Sequence, residues 1–144
     1  MRTATKADYD LIVSELADFW GERDLRALHH PVFIHEFRDT ALVYEDDWTV
    51  AGYLLGFISP SEPVGYVHLV AVRRSHRKRG IGRTLYNEFT RLAHARGCSE
   101  LKAVTTPTNA GSIAFHRSLG MSAEEIGDYA GPGRPRTVFR KELA

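Results

Sequence analysis

An apolar run followed by a basic segment with two glycines constrains the fold of this chain more than any other feature. Residues 64–72 (VGYVHLVAV) have the composition of a strand that is buried on both faces. Residues 73–83 (RRSHRKRGIGR) carry six Arg or Lys side chains and no acidic one. From Ile81 onward, apolar residues recur every three or four positions, which indicates an amphipathic helix. The glycines therefore lie at a helix N-terminus, where unpaired N–H groups bind phosphate.

Two other interpretations of the basic segment are a nucleic-acid-binding patch and a solvated charge run. The rest of the chain carries 13 positive and 18 negative side chains, so the positive charge is concentrated here. A general nucleic-acid-binding protein more often spreads positive charge over a whole face. The segment also lacks the third glycine of a dinucleotide-binding fingerprint, and the chain has no P-loop motif. The pattern favours a local phosphate site, and we expect no nucleic-acid partner.

The length and composition indicate one ordinary globular domain over residues 1–144. No apolar run approaches the roughly 20 residues of a membrane helix, and the first residues do not resemble a signal peptide. The single cysteine, Cys98, excludes an intrachain disulfide and a cysteine-rich zinc site. His29, His30 and His35 have no partner at a convincing metal-ligand spacing, so we expect them at the surface or at the rim of an acceptor site. These observations predict a cytoplasmic protein with no membrane segment and no metal.

Periodicity and turn residues predict eleven elements in the order β, α, α, β, β, β, α, β, α, β, β. This order implies an α/β (α+β) chain with one mixed sheet. A turn is expected at Asp46-Asp47, and a further short turn of helix at 32–37. The predicted strands lie near 2–5, 40–45, 48–58, 64–72, 101–105, 121–129 and 137–143, and the predicted helices near 8–19, 22–30, 81–96 and 109–119.

Two motifs in this order resemble those of the GCN5-related N-acetyltransferase superfamily. Val70-Ala71-Val72 followed by Arg77-Lys78-Arg79-Gly80-Ile81-Gly82 is similar to the family's Arg/Gln-x-x-Gly-x-Gly/Ala motif. Asn109 followed by residues 115–121 (FHRSLGM) is similar to its Asn-helix-Gly-Phe segment. The order of elements also agrees, so the resemblance covers nearly the whole chain. It implies a single mixed, mostly antiparallel sheet of six to seven strands, flanked by helices, with a splayed central strand pair.

The resemblance implies that acetyl-coenzyme A (acetyl-CoA) is the cofactor. The backbone of Val70 and Val72 would pair with its pantetheine arm, and the N–H groups of residues 78–83 would surround its pyrophosphate. Arg73 and Arg74 would raise the local potential or contact the adenosine 3′-phosphate. Asn109 would contact the pantetheine, hold a water beside it, or cap a helix. The implied cofactor-binding residues are Val70, Ala71, Val72, Arg77, Lys78, Arg79, Gly80, Ile81, Gly82, Arg83, Asn109 and His116.

His68 is the candidate catalytic base. An attacking amine must be neutral, whereas an alkylamine has a pKa near that of lysine, about 10.4. Histidine titrates near pH 6.5 and can accept the proton at neutral pH. The stretch from His68 to Val72 resembles that of the arylalkylamine N-acetyltransferases, in which a histidine here takes part in proton removal. The alternative is a core histidine bonded to backbone. Tyr66 lies where many family members carry a catalytic glutamate, and it could line the acceptor pocket or order a water.

His116 lies seven residues after the motif asparagine, where many family members have a tyrosine that protonates the leaving thiolate. It could donate a proton as an imidazolium, donate a hydrogen bond as a neutral ring, or take no part. Cys98 has no evident activating partner, so we expect direct attack in a ternary complex and no acetyl-enzyme.

The acceptor segment of the family is variable, and here it contains Phe33, Glu36 and Phe37. An aromatic pair with one carboxylate suits a cationic amine, although both Phe side chains could instead belong to a helix core. Tyr129 could close the pocket from the other side. The sequence thus predicts an N-acetyltransferase acting on the primary amine of a small molecule. Alternatives are a protein or peptide N-terminal acetyltransferase and a non-catalytic acyl-CoA-binding sensor; a homodimer is common in the family.

Overall fold

The computed structural model describes all 144 residues as seven strands, five α-helices and three 3-10 turns. None of the helices combines the length and the apolar character needed to cross a bilayer. The 3-10 turns are Arg26–Leu28, Arg38–Thr40 and Arg74–His76. The other elements are β1 (Arg2–Thr3), α1 (Lys6–Ser14), α2 (Leu16–Trp20), α3 (Val32–His35), β2 (Ala41–Asp46), β3 (Thr49–Ile58), β4 (Val64–Val72), α4 (Ile81–Ala95), β5 (Glu100–Thr105), α5 (Ala110–Ser118), β6 (Ser122–Ile126) and β7 (Arg136–Glu142).

The strands form one mixed sheet in the order β1-β2-β3-β4-β5-β7-β6. The β4–β5 pair is parallel, and the pairs β1–β2, β2–β3, β5–β7 and β6–β7 are antiparallel. Two backbone bonds show that β3 and β4 are antiparallel as well. Ser59 N–H donates to the Val64 carbonyl (2.8 Å), and Arg73 N–H donates to the Ala51 carbonyl (2.7 Å). The predicted fold class, a single mostly antiparallel sheet of six to seven strands, is confirmed.

The parallel ladder between β4 and β5 is short. It runs from Val64↔Glu100 to Val67↔Ala103 and ends there, although β4 continues to Val72. Because Arg73 N–H faces β3 and successive residues of a strand alternate, Ala71 directs its backbone groups toward β3. Val70 and Val72 direct theirs to the opposite side, away from β3. The pairing of these groups with a pantetheine arm stays a prediction.

The chain divides into two compact units. The first unit consists of Met1–Phe57 and His68–Leu92, and the second of Ile58–Val67 and Ala93–Ala144. Each unit has its own buried apolar side chains, and those of the first unit include Phe19, Tyr53, Leu85 and Phe89. Those of the second unit include Leu101, Met121 and Phe139. The single domain over residues 1–144 stays a prediction.

The prediction that β4 is buried on both faces is wrong. Val67, Leu69 and Ala71 are buried, whereas Tyr66, His68, Val70 and Val72 alternate with them and are partly exposed. The doubly buried strand is β3, whose residues 50–56 are all buried. An apolar composition does not reveal which strand has a cover on its second face. In β4 the open face carries the candidate base.

Three predicted features of the first half of the chain also differ in the structure. The helix expected over 8–19 is two helices, because Glu15 leaves the helical conformation (φ −120°, ψ 29°). The helix expected over 22–30 is absent apart from the 3-10 turn Arg26–Leu28, since this segment uses its carbonyls in tertiary hydrogen bonds. The β2–β3 turn is one residue later than expected, at Asp47 and Trp48, which both have positive φ (49° and 66°).

Candidate active site

His68 lies on the partly exposed face of β4, and its tautomer is determined by one hydrogen bond. Its Nε2 is 2.8 Å from the carbonyl oxygen of Leu28. A carbonyl oxygen only accepts, so Nε2 carries the proton and donates it to Leu28. In the neutral ring, Nδ1 therefore holds the basic lone pair. The only basic atom of this side chain is thus Nδ1.

The surroundings of His68 keep the ring neutral and in a fixed plane. Its ring stacks on that of Phe33, with centroids 4.5 Å apart and an interplanar angle of 11°. Burial lowers the pKa of His68 below the ordinary histidine value, and the bond to Leu28 opposes this shift in part. A neutral imidazole at pH 7 is the form that accepts a proton.

The predicted acceptor residues Phe33 and Phe37 lie close together beside His68. Their ring centroids are 6.0 Å apart, and Phe57 of β3 lies 6.4 Å from Phe33 and 5.4 Å from Phe37. Phe33 is buried, whereas Phe37 and Glu36 are exposed, so the helix-core alternative holds for Phe33 alone. Sequence reasoning missed Phe57, because no residue near it in sequence indicates that its ring packs against the segment 33–37.

The glycine segment has the geometry of an anion cradle. Gly80 has φ +77°, and a Cβ built on it would meet no atom within 4 Å. Thr84 N–H donates to the Gly80 carbonyl (3.0 Å), which is the first bond of helix α4. The N–H groups of residues 81–83 precede that bond and have no acceptor within the helix. Lys78 also has positive φ (65°), as expected of a loop that turns back on itself. The residues present therefore fit a pyrophosphate group.

The structure shows that Arg73 supports the fold. The residue is only 8% exposed, and Nε donates to the Val50 carbonyl (3.0 Å). Its Nη1 donates to Glu15 (2.7 Å) and Asp18 (2.8 Å), and the guanidinium lies 4.7 Å from the centre of the Phe19 ring. Of the two roles predicted for Arg73, contact with the adenosine 3′-phosphate does not fit this burial, whereas Arg74 is exposed.

Other basic side chains of the segment hold the loop in place. Arg77 Nη2 donates to the Phe19 carbonyl (2.8 Å), and Asp46 accepts from His76 (3.0 Å) and pairs with Arg79 (3.5 Å). Because the Arg77 guanidinium binds protein carbonyls, its role toward a phosphate would be limited to its backbone. Ala71 is buried and its backbone faces β3, so its proposed part in cofactor binding is limited to setting the distance between Val70 and Val72. The other basic side chains within three residues of Gly80, those of Lys78, Arg79 and Arg83, are also exposed.

In the second unit, His116 is buried on α5 and its tautomer is the opposite of that of His68. Its Nδ1 is 2.8 Å from the carbonyl oxygen of Ser112, so Nδ1 carries the proton. The ring stacks on Phe139, with centroids 4.1 Å apart and an angle of 2°, and burial lowers its pKa. A neutral ring that donates its one N–H to backbone can only accept at Nε2. This geometry argues against His116 as the proton donor to a thiolate.

Asn109 caps helix α5. Its Oδ1 accepts from Ser112 N–H (3.2 Å), and its Nδ2 donates to Thr105 Oγ1 (3.0 Å). Tyr66, also in the second unit, lies in the electrostatic field of Tyr129. Burial, helped by Tyr129, raises the pKa of Tyr66 to about 12. Tyr66 is thus a neutral phenol at pH 7, which can orient a water but cannot serve as a base.

Two expectations about isolated residues have different outcomes. Cys98 is buried, and burial raises the pKa of its thiol, as expected of a residue without a role as nucleophile. His30 and His35 are exposed, as predicted, but His29 is only 2% exposed and is a core residue. Its partner, the Tyr53 hydroxyl, lies 24 residues away in sequence, so no local signal could have identified it.

Comparison with known proteins identifies the family. The acetyltransferase (GNAT) family model matches residues 9–121. The aminoglycoside N(6′)-acetyltransferase type 1 of Salmonella typhimurium is 31% identical over 112 residues, covering 78% of this chain and 74% of that protein. The L-2,4-diaminobutyric acid acetyltransferase of Shouchella clausii is 31% identical over 87 residues, covering 60% of this chain but only 49%, about half, of that relative.

A solved structure agrees with this result. The ribosomal-protein-alanine N-acetyltransferase of Brucella melitensis is 28% identical, with a TM-score of 0.73 and coverage of 99% of this chain and 98% of that one. The chain belongs to the acetyltransferase (GNAT) family. At the level of the family, this confirms the predicted N-acetyltransferase and its cofactor, acetyl-CoA.

Proposed function

We propose that this member of the acetyltransferase (GNAT) family transfers the acetyl group of acetyl-CoA to the primary amine of a small molecule by direct attack. One observation carries the proposal. The hydrogen bond from His68 Nε2 to Leu28 fixes Nδ1 as the basic atom, on the open face of β4 and beside an aromatic segment. Such an atom can accept the proton that an amine must lose on attack.

The His68 ring serves this role because it is neutral and fixed. An alkylamine is almost fully protonated at pH 7, since its pKa is about 10.4. Burial lowers the pKa of His68, so its Nδ1 is free to take one proton from the ammonium and leave a neutral nitrogen, whose lone pair then forms the N–C bond. In that transfer the C–S bond of the thioester breaks, coenzyme A leaves as the thiolate, and the proton that the attacking nitrogen loses next neutralises it through solvent. Phe33 stacks on the ring and keeps its plane constant. Bound acetyl-CoA supplies the electrophilic thioester carbonyl.

The cofactor would be held by the backbone of the glycine loop and the open edge of β4. The N–H groups of residues 78–83 would donate to the pyrophosphate, with Lys78, Arg79 and Arg83 supplying charge. Val70 and Val72 would pair with the pantetheine. Asn109 would act mainly through the position of α5, because its side chain caps that helix.

The relatives and the acceptor segment support a small primary amine. Two relatives are named for small amines, an aminoglycoside and L-2,4-diaminobutyric acid. Phe33 and Phe37 provide aromatic surface, and the exposed carboxylate of Glu36 suits a cation. In the second unit, Tyr66 and Tyr129 are the proposed acceptor-lining residues.

A peptide N-terminal amine is the second candidate acceptor. The observation that favours it is the similarity to the ribosomal-protein-alanine N-acetyltransferase structure, which covers nearly the whole of both chains. The base and the glycine loop would serve either acceptor equally, because both acceptors present a primary amine.

The test is thiol release from acetyl-CoA with a panel of amino sugars, diamino acids, arylalkylamines and N-terminal peptides. His68→Ala is expected to lower kcat by about 10²–10⁴-fold at pH 7, the usual contribution of a general base. Part of the loss should return at high pH, where more of the amine is neutral. His94→Ala, which removes an exposed histidine near the C-terminal end of α4, is the matched control and should leave kcat unchanged.

Two outcomes would change the proposal. Equal activity of His68→Ala and wild type would remove His68 from the mechanism. Tight binding of CoA without turnover of any amine on the panel would favour the acyl-CoA-binding sensor instead.

A further inference from the structure

We infer that His29 is a positioning residue, whose buried ring holds the loop that carries the Leu28 carbonyl and thereby fixes the tautomer of His68. The inference rests on the proposed role of His68 as the base. His29 touches no reacting atom in this scheme. It acts through its neighbour in the chain.

The hydrogen bonds of His29 have a defined direction. Its Nδ1 is 2.7 Å from the Leu25 carbonyl oxygen and must donate to it, which leaves Nε2 as an acceptor. The Tyr53 hydroxyl, 2.7 Å from Nε2, therefore donates to His29. Trp20 Nε1–H in turn donates to the Tyr53 oxygen (2.7 Å). The chain of bonds runs from Trp20 through Tyr53 and His29 to Leu25, with every group paired.

Burial makes this network costly to break. His29 is 2% exposed and Tyr53 is fully buried, so a missing partner would leave a polar group without water. Burial also lowers the pKa of His29 and raises that of Tyr53. Both groups are neutral at pH 7, and the direction of the bonds is preserved. Hydrogen bonds in such a chain polarise and strengthen one another.

Leu28 depends on its neighbour for its position. Its side chain is 44% exposed, so burial of its own apolar surface does little to hold it. The regular structure around it is limited to the 3-10 turn Arg26–Leu28. His29, the next residue, is held at its ring by Tyr53 and at its carbonyl by the Tyr9 hydroxyl (2.5 Å). The Leu28 carbonyl, which accepts the hydrogen bond from His68, is therefore kept in place by the contacts of His29.

Loss of the network should release the Leu28 carbonyl and allow the His68 ring to change tautomer and orientation. Misplacement of a catalytic group by about 1 Å can cost on the order of 10²-fold in rate. We expect His29→Leu to lower kcat roughly ten- to a hundredfold and to leave the KM for acetyl-CoA unchanged, because the glycine loop shares none of these bonds. His29→Gln retains one donor and one acceptor and should recover part of the activity.

The experiment reads the two ring nitrogens of His68 directly by long-range ¹H–¹⁵N NMR of the whole chain, with His68→Ala to assign the signals. Wild type should show a single neutral tautomer with the proton on Nε2. His29→Leu should show averaged ¹⁵N shifts. Tyr53→Phe keeps the core ring and removes only the hydroxyl, so it tests the same network if His29→Leu does not fold. Phe89→Leu, a core change in helix α4, controls for a general loss of stability.

The outcomes separate this inference from the proposed function. Altered His68 shifts together with a lower kcat, both absent in Phe89→Leu, would support it. Unaltered His68 shifts in folded His29→Leu and Tyr53→Phe would overturn the positioning role, even if His68→Ala is inactive. Altered shifts with an unchanged kcat would support the positioning of the ring and overturn His68 as the base.

Discussion

Substitution of Gly80 by alanine should weaken the binding of CoA far more than it weakens the fold. Gly80 has φ +77°, a conformation that costs an L-residue about 1–2 kcal/mol. A Cβ at this position would meet no atom within 4 Å, so no clash adds to that cost. We therefore expect Gly80→Ala to lower the free energy of unfolding by about 1–2 kcal/mol.

The same methyl group would lie in the open space beside the N-terminus of α4. A phosphate oxygen that approaches the N–H groups of residues 81–83 would meet it there. Loss of one charge-assisted hydrogen bond costs about 1.5–3 kcal/mol. Since about 1.4 kcal/mol corresponds to a factor of ten, the Kd for CoA should rise roughly 10- to 150-fold.

Gly97 provides the matched control. It has φ +83°, and a Cβ built on it also meets no atom within 4 Å, but it follows the C-terminal end of α4. Gly97→Ala should therefore have the same cost in urea unfolding. Calorimetric titration should show wild-type affinity for CoA in this variant.

Either of two results would refute the reasoning. Unchanged affinity in Gly80→Ala would show that the glycine loop does not bind the pyrophosphate. Equal losses of affinity in both variants would show that the effect comes from general destabilisation.

Two further predictions concern stability. Burial lowers the pKa values of His29, His68 and His116, so below about pH 6.5 the unfolded chain binds more protons than the folded one. The free energy of unfolding should fall as the pH drops from 7.5 through 6.5 to 5.5, and a flat profile in urea titrations would contradict this. Arg73→Met fills the same space with an apolar side chain but removes the donor to the Val50 carbonyl and the bonds to the carboxylates of Glu15 and Asp18, which are 35% and 62% exposed, so it should cost about 2–4 kcal/mol. The affinity of Arg73→Met for CoA should stay within about threefold of wild type. A strong loss of affinity without a loss of stability would show that Arg73 contacts the adenosine 3′-phosphate.

Local elements of the fold could be predicted because periodicity and turn residues encode them directly. Strand β4, the glycine loop and helix α4 follow one another as the pattern of residues 64–97 indicated. Helix α5 begins after Asn109, whose side chain makes the expected cap. These features depend on residues a few positions apart in sequence.

Roles that depend on distant partners could not be predicted. Arg73 stands in a basic run, which predicts that it raises the local potential or contacts the adenosine 3′-phosphate, but the structure pairs it with Glu15 and Asp18, 58 and 55 residues away. The prediction for β4 failed for the same reason, because the burial of its faces depends on what packs against them.

The sequence by itself determined the order of the seven strands, the helices that follow β4 and β5, the glycine loop and the family, since these follow from residue types at short spacing. The tertiary structure alone decided the chemistry of the two candidate catalytic histidines. Both are imidazoles in apolar surroundings, and they differ in which nitrogen meets a carbonyl oxygen. For His116 that oxygen belongs to Ser112, one helical turn away, and for His68 to Leu28, 40 residues away. The position of the proton, and hence of the basic nitrogen, follows from those two contacts.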